Sequence, residues 1–141
     1  MPRSAKKLAR LHRVRTLQLD QVRAAEVQAQ ARVTQEFQLR ERIASLAANV
    51  APAPSGEGFA ASLMAAAHYR DRLHQSAHAA ERRVEVAEQG LEQARAATRE
   101  ARRDQSAIEK LIGREQAEAA LKALRALEEL PPSGRNRHDL C

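Results

Sequence analysis

A chain of 141 residues with 24 Lys and Arg against 18 Asp and Glu carries a formal net charge of +6 and has room for one domain. Aromatic residues make up 2% of it, Trp is absent, and the 43% hydrophobic fraction is mostly Ala and Leu, which argues against a compact globule filled by bulky side chains. The single cysteine, Cys141, excludes an internal disulfide, and the abundance of Ala, Leu, Glu, Gln and Arg favours long helices.

The first element is a helix expected over residues 4–50. Ser4 is placed to cap its N-terminus. Its apolar positions, Leu8, Leu11, Val22, Ala25, Ala29, Leu39, Ile43, Leu46 and Val50, recur with a loose heptad spacing. Leu19, Val33 and Phe37 lie off that stripe and either widen the core or form a second contact face. Residues 51–58, Ala-Pro-Ala-Pro-Ser-Gly-Glu-Gly, break the pattern, because the prolines lack donors and the glycines loosen the backbone.

A second, longer helix is expected over residues 58–130. One of its rows reads Leu63, Arg70, Ala77, Val84, Leu91, Thr98, Gln105, Ile112. The other reads Ala66, Leu73, Ala80, Ala87, Ala94, Ala101, Ile108. A 3.5-residue spacing held this long is a coiled-coil signature. Pro131 and Pro132 end the helix, leaving residues 131–141 as a flexible polar tail. The fold class that follows is all-α: a two-helix antiparallel coiled-coil hairpin, residues 1–130, with the second helix the longer.

Matching the two stripes suggests a register with Val50 opposite Phe59. Leu46 then meets Leu63, Ala25 meets Val84, Val22 meets Ala87 and Leu8 meets Ala101, large against small. In it Glu36 faces Leu73 near Arg70, and Arg15 faces an alanine and extends to water. The second helix would outrun the first from about residue 105. That leaves Ile108, Leu111, Ile112, Leu121, Leu124, Leu127 and Leu130 without a partner from their own chain. An uncovered apolar stripe on a helix marks a protein-binding surface or a site of self-association.

Arg3, Lys6, Lys7, Arg10, Arg13 and Arg15 all precede the first acidic residue. The same register sets Arg95, Arg99, Arg102 and Arg103 beside them. Such a positive band suits an acidic protein cleft. A merely solvated charged end is the bland alternative, and phosphate or nucleic acid is the weaker reading, since no aromatic residue lies near the band for base stacking. His74 and His78, with Glu81 and Glu85, have helical spacing but no third fixed ligand, so no metal site is expected. No residue set able to do chemistry is present, so the chain reads as no enzyme and as needing no cofactor. The N-terminus lacks the apolar core of a signal peptide, and the longest small-and-apolar run, Phe59 to Ala67, is too short to span a bilayer.

The opening KKLARLHRVRTLQLDQVRAAEVQAQARV, the YRDRL at Tyr69 to Leu73, and IEKLIGREQAEAALKALRALEEL at Ile108 to Leu130 resemble the FliJ family of flagellar export and its YscO-like counterparts in type III secretion. The resemblance covers roughly residues 6–130 and rests on size, helix plan and local texture. The tail from Pro131 falls outside it.

The resemblance implies a stalk-like hairpin that binds and activates the hexameric export ATPase, contacts the membrane export gate and handles export chaperones. It also implies a cytoplasmic location, peripheral to the inner membrane through the export apparatus. Carried onto this chain, Lys6, Lys7, Arg10 and Arg13 with Leu121 and Leu124 would meet the ATPase, and Tyr69 and Leu73 the gate. The competing readings are a generic coiled-coil scaffold that self-associates and a basic helical protein that associates with nucleic acid.

Overall fold

The computed structural model describes residues 3–51, 58–132 and 134. Two helices make up the fold: α1, Arg3–Ala48, and α2, Phe59–Glu128. The chain is an all-α antiparallel hairpin with the second helix longer, and α2 is 70 residues against 46 for α1.

Local chemistry sets the ends. The last turn of α1 tightens, with Asn49 N–H donating to Leu46 O at 3.2 Å. Gly58 has φ of 97°, a left-handed conformation that a side chain would strain, and its carbonyl accepts Ser62 N–H at 2.9 Å to open α2. At the far end, Leu130 N–H reaches Leu127 O at 3.3 Å. Pro131 and Pro132 then supply no donors to continue the helix. Ser4 does not cap α1: it lies inside the helix, and its hydroxyl donates to Glu115 Oε1. Most of the connecting segment, residues 52–57, and the tail positions 133 and 135–141 lie outside the described residues.

The residues pack as two units: Leu17–Arg102, and Met1–Thr16 with Arg103–Cys141. In the first, the heptad of α2 faces α1 from Leu73 on, while Leu63 and Arg70, expected in the same row, are exposed. Leu73, Ala80, Val84, Ala87 and Leu91 are buried, and Ala66, Ala77, Ala94, Thr98 and Ala101 half-buried. The α1 seam consists of Leu19, Val22, Glu26, Ala29, Val33, Glu36, Arg40, Ile43, Ala47 and Val50. Leu19, at 2% exposure, is the most enclosed residue of α1, and Val33 is also in the seam. Leu39 and Leu46, expected in the seam, are exposed.

The register differs from the one inferred from apolar matching. Val22 O is reached by Thr98 Oγ1 at 3.5 Å, not opposed by Ala87. Val50 O accepts from Arg70 Nη2 at 2.9 Å, not opposite Phe59. Glu36 meets Arg83 rather than Leu73. Each partner lies ten or eleven residues further along α2. Eleven residues make three turns at about 3.67 residues each, so such a slip returns the same face to the seam. Apolar periodicity therefore cannot tell the two registers apart.

Polar pairs can. Glu36 Oε2 stands 3.4 Å from Arg83 Nε, an ion pair by distance, although the oxygen lacks an aligned hydrogen bond. Glu26 Oε1 is 3.9 Å from Arg95 Nε. Polar residues in a coiled-coil core specify register at some expense of stability.

The second unit shows the same displacement on its own contacts. Arg15 Nη1 pairs with Asp104 Oδ2 at 3.1 Å, His12 Nε2 with Glu109 Oε1 at 3.2 Å, and Gln105 Nε2 donates to Thr16 Oγ1 at 3.0 Å. Arg15 thus has a carboxylate, where apolar matching left it an alanine and solvent. Leu8 lines a groove together with Ile112, eleven residues beyond Ala101. Among the described residues of this unit no apolar side chain is fully buried; Leu8, Ile108 and Ile112 are half-buried, and Leu11 is exposed.

Candidate partner-binding surface

In the unit formed by residues up to Thr16 and from Arg103, α1 covers α2 as far as Glu115, where Ser4 makes its contact. From Gln116 to the end of α2 at Glu128, and on to Leu130, every residue is exposed. Leu121, Leu124, Leu127 and Leu130 lie between 54% and 64% exposed, far from the burial expected of four leucines on one helix. Ile108 and Ile112, expected to be uncovered, are partly screened by α1, because the register sets the start of α1 further along α2. Leu111 remains exposed.

The cations of α1 divide by position. Arg15 sits in the seam and is engaged, whereas Lys6, Lys7, Arg10 and Arg13 are exposed and show no ion pair among the described residues. The acids that α2 turns toward this stretch are taken: Asp104 by Arg15, Glu109 by His12 and Glu115 by Ser4. Between the helices runs a shallow groove, lined by Ala5, Leu8 and Ala9 of α1 and by Ile112, Gln116 and Ala119 of α2, with Glu115 at its edge.

Of the four arginines expected beside the N-terminus, Arg103 shares the unit of residues up to Thr16, and the other three are elsewhere. Arg95, Arg99 and Arg102 belong to the unit Leu17–Arg102, where Arg95 faces Glu26 and Arg99 pairs with Glu92 at 2.9 Å. The displaced register is the cause. Of the inferred gate-facing pair, Tyr69 is 51% exposed, but Leu73 is a seam residue at 8% and is spent on packing. Leu73 falls on the heptad row that already runs through Ala66 and Ala80, which is the signal that marks it as core. Phe59, Leu63 and Met64 are exposed near Tyr69 in sequence.

Among the described residues no three His, Cys, Asp or Glu side chains stand close enough to hold a metal ion. None of the described helices is long and apolar enough to cross a membrane. Lys6, Lys7, Arg10 and Arg13 thus share one unit with Leu121 and Leu124, while Tyr69 belongs to the other. Compared with known protein families, curated proteins and solved structures, the chain matches none.

Proposed function

We propose that this chain is a non-enzymatic adaptor of a bacterial protein export apparatus, flagellar or type III, of the FliJ and YscO-like kind. It binds and stimulates the hexameric export ATPase and contacts the export gate and chaperones from the cytoplasmic side. The observation that carries the reading is the stretch past Gln116, where Leu121, Leu124, Leu127 and Leu130 are exposed in the same unit as four cations of α1 that show no ion pair among the described residues. An apolar face of that width is a binding surface more often than an idle one. The cations give a partner with acidic groups both an encounter advantage and an orientation. ATP hydrolysis belongs to the partner.

The test is ATP turnover by a purified hexameric export ATPase with and without this protein. The expected result is stimulation that Leu121→Asp with Leu124→Asp abolishes. Unchanged turnover and unchanged ATPase oligomerisation would remove the reading.

The same exposed leucines support a second reading, in which they pair with those of another copy. Sedimentation of the isolated chain separates the two, since a scaffold is a stable oligomer that the Leu121→Asp, Leu124→Asp variant dissolves into monomers.

A further inference from the structure

We propose that the groove between the start of α1 and the end of α2 receives an amphipathic helix of a partner protein whose apolar stripe is edged with Asp and Glu. The proposal rests on the adaptor reading and specifies the chemistry of what that surface takes.

The two flanks of the seam differ. On one, Ser4 and Arg15 reach Glu115 and Asp104. On the other, His12 and Thr16 reach Glu109 and Gln105. Heptad spacing puts Ala9, seven residues before Thr16, on this second flank. It puts Gln116, seven after Glu109, there as well. Both line the groove.

Following this flank along α2 leads to Ala120, Ala123 and Leu127, at four, seven and eleven residues past Gln116, with Leu124 beside them. The heptad of the seam itself would continue through Lys122, Ala126 and Glu129, which is a poor core. The uncovered leucines are therefore not leftover seam. Leu124, Leu127 and Leu130 lie toward the flank on which the groove opens, where small groove residues pass into larger apolar ones, whereas Leu121, about 140° around the helix from Gln116, does not. Ala5, Ala9, Ala119 and Ala120 let a helix backbone approach closely, and Leu124 and Leu127 give it side chains to pack against.

Charge identifies the occupant. Lys6 and Arg13 stand three residues before and four after Ala9, at the outer edge of this flank, exposed and without an ion pair among the described residues. Of the acids nearby, Glu109 is engaged by His12, and Glu115, at the groove's edge, accepts from Ser4. An acidic edge on the incoming helix meets both cations. A polyphosphate backbone would leave the apolar floor and Leu127 wet.

The experiment uses the full chain and a fluorescein-labelled synthetic helix with leucines at heptad core positions and glutamates at the flanks. Its controls are the same peptide with lysine flanks and a scrambled peptide of equal composition. By anisotropy the glutamate peptide is expected to bind at least about tenfold more tightly than either control. Ala9→Glu, on an exposed position, abolishes binding. Lys6→Glu with Arg13→Glu weakens it by about tenfold or more, while Lys7→Glu with Arg10→Glu, an equal change of charge off the flank, weakens it less than about threefold. Far-ultraviolet circular dichroism confirms that each variant remains helical.

Equal losses from the two charge reversals would overturn the proposal, as would equal binding of the scrambled peptide. So would displacement of the peptide by duplex DNA, or a dimer of the chain that Ala9→Glu dissociates. The assay contains no ATPase, so its failure leaves ATPase stimulation standing, and failed stimulation leaves the groove standing.

Discussion

Side chains in this seam work under an unusual constraint, because so few of them are large. Leu91 at 7% exposure and Leu19 at 2% supply much of the apolar contact between α1 and α2 in the unit Leu17–Arg102. Leu91→Ala is therefore expected to cost roughly 2–3 kcal/mol, at the lower end of large-to-small core losses because a two-helix seam can partly collapse. Urea denaturation of the variant checks it, and a loss under about 0.5 kcal/mol, the size of an ordinary surface substitution, would contradict the packing described.

The polar pairs act differently. Arg15 and Asp104 are both more than a third exposed, so their coupling in a double-mutant cycle is expected at only about 0.2–1 kcal/mol and to shrink in salt. Their value lies in excluding the other register, where Arg15 has no carboxylate opposite.

Each helix shows a different part of what sequence can reveal. The α2 seam was legible because both heptad rows are filled by Ala, Leu, Val and Ile over many turns. Every expected position from Leu73 to Ile112 is buried or half-buried. The α1 seam was legible only in part: Leu8, Val22, Ala29, Ile43 and Val50 lie in it as expected, but His12, Arg15, Glu26, Glu36 and Arg40 occupy other seam positions. A count of apolar residues alone drifts to Leu11, Leu39 and Leu46, which face solvent. The signal that would have found the register is charge complementarity across the helices, scored with apolar fit. The surface was legible in part: the exposed leucines of one unit stood out, with cations that show no ion pair among the described residues, but Leu73, carried into the gate-facing pair by the resemblance, is the seam residue its heptad row marks, and Arg95, Arg99 and Arg102 were placed beside the wrong stretch of α1.

The same elements differ in how firmly they are held. The unit Leu17–Arg102 contains all the buried side chains among the described residues, and the other unit contains none. Hydrogen exchange is thus expected to be slowest for amides around Leu19 and Val84 to Leu91, and faster from Ala120 to Glu128, beyond the last groove residue that α2 shares with α1 among the described residues. Equal protection in the two stretches would mean that the exposed leucines are covered in solution.

At the scale of the whole chain, function rests on where the helices stop pairing. In the register found, α1 covers α2 as far as Glu115 and leaves four leucines uncovered. In the alternative, eleven residues away, Ile108 and Ile112 would join the uncovered stripe and the groove lined by Leu8 and Ile112 would not exist. The direct measurement is disulfide trapping of single chains in a Cys141→Ser background. Val22→Cys with Thr98→Cys, and Leu8→Cys with Ile112→Cys, are expected to oxidise readily to intramolecular disulfides. Val22→Cys with Ala87→Cys, and Leu8→Cys with Ala101→Cys, lie about three helical turns apart, roughly 16 Å, well beyond disulfide reach, and are expected to stay reduced. Efficient closure of the second set with failure of the first would contradict the register, and with it the surface proposed to bind the partner.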